Sequence, residues 1–171
     1  MNILYTSRDQ IDVYRFSLPV TILAPLLAIA FQTFISGRIT WLAVFDLPLL
    51  VTIFFAVSRR NAVTGLLQGG VIGIVQDAFT HHPLGVFGIA KTIIGFIASS
   101  LGGKLDVDNP GSRLLMTSAF YIIHQLIFFG ISRGMLQQAI DLRWSHLLLV
   151  AVLNGLLAVV IFSVMDRFKR T

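Results

Sequence analysis

Long apolar runs separated by short polar turns dominate this chain. A helix needs about 20 apolar residues to cross the hydrocarbon core of a bilayer. Runs of about that length occur at residues 17–36, 39–57, 62–80, 84–103, 114–132 and 145–165. The pattern predicts an all-α, polytopic membrane protein in which six transmembrane helices form a compact bundle. Since the runs and their connections use nearly the whole chain, residues 1–171 are expected to form a single integral membrane domain.

The composition agrees with a membrane protein. Of the 171 residues, 56% are hydrophobic and only 12% are charged, whereas soluble domains carry roughly 25% charged residues. The net charge of +5 comes from basic residues that flank the apolar runs. A nucleic-acid interface would need a basic patch on a soluble face, so no nucleic-acid partner is expected. The lipid bilayer is the expected partner.

The basic residues also predict an orientation. Cytoplasmic loops carry an excess of Lys and Arg. If the N terminus is cytoplasmic, nine basic residues lie inside and three outside, and both termini are cytoplasmic. The inner set is Arg8, Arg15, Arg59, Arg60, Lys104, Arg113, Arg167, Lys169 and Arg170, and the outer set is Arg38, Arg133 and Arg143.

Glycines recur at helical spacing in the third and fourth runs. Gly65, Gly69 and Gly73 are four residues apart, and Gly88 and Gly95 follow in the next run. Small residues at this spacing let two helix backbones approach closely inside a membrane. The sequence leaves two interpretations open: the glycines pack helices of this chain together, or they form a groove for a partner helix.

Ionisable side chains inside the apolar runs are the strongest candidates for a functional site. A charge at the bilayer centre costs about 3 kcal/mol or more, so Asp46, Asp77 and Lys91 should face a partner or a cavity. In one interpretation Lys91 pairs with Asp77 or Asp46 within a network that fixes the helices. In the other, the cluster lines a pocket that is open to the outside and binds a ligand. The predicted cluster consists of Asp46, Gln76, Asp77, Lys91, His124, Gln125 and Asn154.

Pro48 follows Asp46 closely and is a candidate for a kink in the second run. Within a continuous helix, its ring would remove the hydrogen bond to the carbonyl of Val44. A carbonyl freed in this way inside a membrane needs another donor.

No recognisable catalytic or metal-binding motif is present. His81 and His82 are adjacent, but no third ligand follows at a recognisable spacing. The chain has no GxSxG, HExxH or P-loop motif. We therefore expect no catalytic residues, no metal, no cofactor and no enzymatic activity.

The segment from Phe45 to Phe96 resembles the MreD family of bacterial rod-shape-determining membrane proteins. The resemblance lies in Asp46 and Pro48, in the basic turn Arg59-Arg60, in the glycine-spaced helix that ends at Asp77, and in the Pro-Leu-Gly turn at 83–85 with Gly88 beyond it. The rest of the chain is similar only in its hydropathy.

This resemblance implies a scaffold protein of the cell-elongation complex in the bacterial inner membrane. The expected partner is an MreC-like membrane protein, and beyond it RodA, a penicillin-binding transpeptidase and MreB. It also implies a fold similar to the substrate-binding subunits of energy-coupling-factor vitamin transporters. The alternative function is therefore a membrane subunit that binds a small molecule.

Overall fold

The computed structural model describes residues 16–36, 38–80, 83–137 and 142–169, and in these ranges the regular structure is entirely helical. This confirms the all-α class. Six α-helices follow the six apolar runs: α1 (Leu18–Ser36), α2 (Leu47–Arg59), α3 (Ala62–Thr80), α4 (Val86–Leu101), α5 (Pro110–Gly134) and α6 (Trp144–Met165). Short 3₁₀ helices lie at Thr40–Val44 and Asp166–Phe168.

Four segments are long and apolar enough to cross a bilayer: Trp41–Arg59, Ala62–Thr80, Pro110–Gly134 and Trp144–Phe168. Two shorter apolar helices cover Leu18–Phe34 and Val86–Leu101. Large apolar side chains lie exposed on the outer faces, as Leu27 and Val71 do, which suits contact with lipid. The chain is a multi-pass membrane protein.

The helices run alternately up and down, which defines two ends of the bundle. The Arg59 end is where α1, α3 and α5 begin and where α2, α4 and α6 end. The Asp77 end is the opposite one. Arg59 at the end of α2 donates a hydrogen bond to Thr21 in the first turn of α1, which joins two helix ends at the same side.

Helix α2 occupies the centre of the bundle. Every residue from Pro48 to Ser58 is buried, and α2 packs against each of the other five helices. Its side chains include Leu49, Ile53 and Phe55, all fully buried. Because α2 is surrounded by protein, polar groups at its ends can be satisfied without contact with lipid.

The second apolar run is broken, although a continuous span over 39–57 was predicted. The 3₁₀ helix ends at Val44, Phe45 is extended, and α2 begins only at Leu47. Pro48 therefore lies in the first turn of a helix, where its missing N–H costs no helical hydrogen bond. The expected kink at Pro48 is replaced by a break before it.

The glycines of α3 and α4 lie between these two helices, which form an antiparallel hairpin. A Cβ at Gly65 would collide with the carbonyl oxygen of Gly95, one at Gly69 with that of Lys91, and one at Gly73 with that of Phe87. Each step of four along α3 thus matches a step of four back along α4. A Cβ at Gly95 would collide with Gly65 in turn, and one at Gly88 would lie 3.0 Å from Ile74. These glycine faces are used within the chain, so a partner helix cannot reach them.

A buried arginine holds the turn before α5. Arg113 is buried, and its Nε donates to the carbonyl of Val107 at 2.6 Å. Its guanidinium pairs with Asp166, which Lys169 also contacts at 2.9 Å. The turn, the start of α5 and the end of α6 are therefore tied together at the Arg59 end.

The α3–α4 contact gives the first prediction. Gly69→Ala places a methyl group against the backbone of Lys91, and overpacking of this kind costs about 1–3 kcal/mol. Gly130→Ala is the control, since a Cβ there meets no atom within 4 Å. Thermal unfolding in detergent should show a lower midpoint for Gly69→Ala and an unchanged or slightly higher one for Gly130→Ala. Equal midpoints for the two variants would contradict the close contact.

Candidate functional site

The break before α2 creates the candidate site, because it places Asp46 at the N-terminus of the central helix. Asp46 Oδ1 accepts a hydrogen bond from the backbone N–H of Leu49 at 3.0 Å, which is the geometry of an N-cap. A carboxylate at a helix N-terminus is also favoured by the helix dipole. Leu47 lies about 18 Å along α2 from Arg59, so the cap is located within the span.

Side chains of neighbouring helices bond to three backbone groups at the break. Asn154 of α6 accepts from the N–H of Asp46 and donates to the carbonyl of Val44, each at 3.0 Å. Gln32 of α1 accepts from the N–H of Leu47 at 3.3 Å. The carbonyl of Val44, which the sequence identified as needing a donor, is thus satisfied by a side chain from α6. Two neighbouring helices thus supply hydrogen bonds to backbone groups that have no helical partner at the break.

Lys91 of α4 forms an ion pair with both carboxylate oxygens of Asp46. Its Nζ lies 2.8 Å from Oδ2 and 3.1 Å from Oδ1. The Lys91 side chain is fully buried, and that of Asp46 is 15% exposed. A buried ammonium without a partner would be strongly destabilising. The pair therefore ties α4 to the start of α2.

His124 of α5 completes the group. Its Nε2 lies 3.4 Å from Lys91 Nζ, and its Nδ1 lies 4.0 Å from Asp46 Oδ2. An ammonium group only donates hydrogen bonds, so Nε2 is the acceptor and Nδ1 carries the proton. The imidazole stacks on Phe87 with the two rings nearly parallel. Three protein acceptor atoms thus lie within 3.4 Å of Lys91 Nζ.

Together these residues form what we call the break cluster, defined as Asp46, Lys91, His124 and Asn154. They come from the start of α2 and from α4, α5 and α6. The charges of Asp46 and Lys91 are matched, and the ammonium is surrounded by acceptors of the protein itself. The arrangement is suited to holding four helices in one geometry.

Asp77 lies apart from the break cluster and caps another helix. Its two carboxylate oxygens accept from the backbone N–H groups of Gly85, Phe87 and Gly88 at 2.8, 3.0 and 3.1 Å. These are amides at the start of α4. Gly85 has a φ of 103°, a backbone conformation that favours glycine. Of the two partners proposed for Lys91 from the sequence, Asp46 makes the ion pair and Asp77 instead closes the α3–α4 turn.

The two glutamines of the predicted cluster do not bond to the break cluster. Gln76 is buried on α3, and its Oε1 has no hydrogen-bond partner among the described residues. Gln125 donates to the hydroxyl of Tyr121 at 2.8 Å. Gln125 and Tyr121 line a cavity of about 360 Å³ between α5 and α6, together with Arg143 and His146. This cavity lies toward the Asp77 end.

Sequence reasoning missed two members of the site's surroundings. Gln32 was detectable, because it is a lone amide inside the apolar run of α1. Phe87 was not, since it is one of 14 phenylalanines and its position under His124 depends on tertiary packing. No group of three potential metal ligands occurs in the part of the chain that the structure describes. His81 and His82 lie outside the described residues.

Compared with protein-family models, with curated proteins and with solved structures, the chain gives no match. The interpretation of the site therefore rests on its geometry and on the sequence resemblance.

The ion pair gives the second prediction. Asp46→Asn and Lys91→Met each leave a buried charge without its partner, which costs about 3–5 kcal/mol. The double variant removes both charges and should cost less than the sum of the two single changes, with a coupling of about 0.5–3 kcal/mol. Thermal unfolding of the four proteins in detergent measures this coupling. Costs that add without coupling would show that the pair does not form.

Asp77→Asn combined with Lys91→Met serves as the control cycle. Asp77 caps the amides of α4 and makes no ion pair with Lys91, so its coupling to Lys91 should be clearly smaller than that of Asp46. A larger coupling for Asp77 would reverse the assignment of the ion pair.

Proposed function

We propose that this protein is a non-enzymatic scaffold of the MreD type in the bacterial cytoplasmic membrane, with both termini in the cytoplasm. In this proposal all six helices cross the membrane. The protein binds an MreC-like partner as part of the cell-elongation complex that synthesises peptidoglycan. RodA, a penicillin-binding transpeptidase and MreB are further members of that complex.

One observation supports the proposal most directly: the residues on which the resemblance rests hold the helices in place. Asp46 and Pro48 build the capped start of the central helix. Asp77, Gly85 and Gly88 build the closed turn between α3 and α4. Each intramembrane charge thus stabilises a fixed arrangement of the helices. A rigid platform without a free reactive group is what a scaffold requires.

The partner helix must dock on a face other than the glycine contact of α3 and α4. Gly130 and Gly134 on α5 are exposed, four residues apart, and a Cβ at either meets no atom within 4 Å. Small residues at this spacing allow close approach of a second helix. We propose this exposed pair as the contact for the single membrane helix of an MreC-like protein.

A pull-down from the native host in gentle detergent tests the function. We expect an MreC-like protein to co-purify with the tagged chain, with RodA and a penicillin-binding transpeptidase in lower amounts. Gly130→Leu should reduce recovery of the MreC-like protein at least tenfold, because the added side chain prevents close helix contact.

Ala30→Leu is the matched control for this variant. It enlarges an exposed small residue on α1 and should leave recovery unchanged. A wild-type pull-down without an MreC-like protein would refute the scaffold. Equal recovery with Gly130→Leu and wild type would refute only the proposed contact.

The cavity between α5 and α6 favours a second candidate function, which is binding of a small molecule. Its walls combine the rings of Phe128 and Phe129 with the polar groups of Tyr121, Gln125 and Arg143. Pockets for small ligands commonly join apolar walls to a few polar groups. In that case the chain would be a transporter subunit, and the pull-down would recover a transmembrane coupling subunit and ATPases instead.

Mass spectrometry of the purified protein tests this alternative. A bound metabolite that is lost in Gln125→Leu would support it, and its absence would leave the cavity without a ligand-binding role.

A further inference from the structure

An open groove runs between α1 and α3 on the lateral surface of the bundle, which faces lipid. Its volume is about 370 Å³, and it is lined by side chains of α1, α3 and the end of α2. Most of the lining is apolar, for example Pro25, Leu26 and Val71. The polar lining residues are Thr21, Arg59, Thr64 and Gln68. Three of these lie at the Arg59 end, so the groove is polar at one end and apolar along its length.

The polar end carries a positive charge that no carboxylate of the described residues neutralises. Arg59 lies among Thr21 and the rings of Phe16 and Phe55, and no carboxylate of the described residues is within ion-pair distance of it. Arg60 follows directly, and its buried Nε has no hydrogen-bond partner in the same ranges. The end of α2 thus presents two cations at the level expected for lipid headgroups.

A buried amide group lies along the groove, deeper in the membrane than Arg59. The Nε2 of Gln68 is buried and has no hydrogen-bond partner among the described residues. Gln68 lies four residues beyond Thr64, about 6 Å further into the membrane. A buried donor without an acceptor is destabilising. An acceptor supplied by a bound molecule at this depth would remove that cost.

We infer that this groove binds one anionic glycerophospholipid, with its phosphate at Arg59 and one acyl chain along the apolar walls. The ester carbonyl below the phosphate lies at the depth where Gln68 offers its amide hydrogens. From Thr64 to Val75 the groove extends about 16 Å along α3, which suits an acyl chain. The inference does not depend on which complex the protein joins.

Lipid binding to the purified full-length protein tests the inference. The protein in a non-ionic detergent is titrated with dioleoyl phosphatidylglycerol and, as reference, with dioleoyl phosphatidylcholine, and bound lipid is counted by native mass spectrometry. We expect phosphatidylglycerol to bind at least fivefold more tightly, since a basic residue near the membrane surface contributes about 1 kcal/mol to attraction of anionic lipid. Equal affinity for the two lipids would overturn the inference.

Charge variants locate the headgroup. Arg59→Gln should lower phosphatidylglycerol affinity about fivefold, and Arg59→Lys should retain most of it because the charge is kept. Arg167→Gln is the matched control, because Arg167 is an exposed arginine at the same end outside the groove. An equal loss in Arg167→Gln and Arg59→Gln would show attraction to the surface alone and would contradict the groove.

A second pair of variants tests the acyl-chain position and does not depend on Arg59. Val71 lines the groove and is 62% exposed, while Val160 on α6 is 60% exposed and lies outside it. Val71→Trp should fill the groove and reduce binding of both lipids at least fivefold, and Val160→Trp should leave it unchanged. Unchanged binding in Val71→Trp, or an equal loss in both variants, would overturn the inference.

Discussion

The ion pair between Asp46 and Lys91 is the interaction on which the arrangement of this bundle depends. It lies where the second span is interrupted, so the carboxylate serves both as the cap of α2 and as the counter-ion of α4. The amide of Asn154 closes the other side of the break. Because α2 is the central helix and side chains of α1 and α6 bond to backbone groups of the break, the interruption is accommodated inside protein and not in contact with lipid.

Two aspartates therefore cap the starts of two helices. Asp46 caps α2 within the span, and Asp77 caps α4 at the turn of the hairpin. The glycine contact between α3 and α4 places Lys91 opposite Gly69, which fixes the position from which the lysine reaches Asp46. Lys91 thus takes part both in the close packing of α3 against α4 and in the ion pair with Asp46. In this chain the intramembrane charges specify how helices meet, which accords with a scaffold and leaves the cavity between α5 and α6 as a separate feature.

The apolar runs predicted the helices well, because a span of about 20 apolar residues has few alternatives to a helix. The apolar runs did not predict the break at Asp46, because hydropathy does not indicate where a helix starts inside an apolar run. The residues of the break cluster were all among the candidates, because buried polar groups in an apolar run require partners. The choice of Asp46 over Asp77 for Lys91 was open, since both carboxylates lie at plausible depths and only the hairpin geometry separates them. Gln76 and Gln125 are polar residues in apolar runs, as Asn154 is, but neither of them bonds to the break cluster.

The most direct test of this account is the distance between Lys91 and Asp46 in a lipid bilayer. Lys91 is the only lysine left after Lys104→Arg and Lys169→Arg, so solid-state NMR of protein with ¹⁵N-labelled lysine and ¹³C-labelled aspartate reports on it alone. The account predicts strong dipolar coupling between Nζ and an aspartate carboxyl carbon, as expected for Nζ–Oδ distances of 2.8 and 3.1 Å. It also predicts that this coupling disappears in Asp46→Asn. A coupling that is absent from the unmodified pair, or that survives Asp46→Asn and disappears in Asp77→Asn, would contradict it.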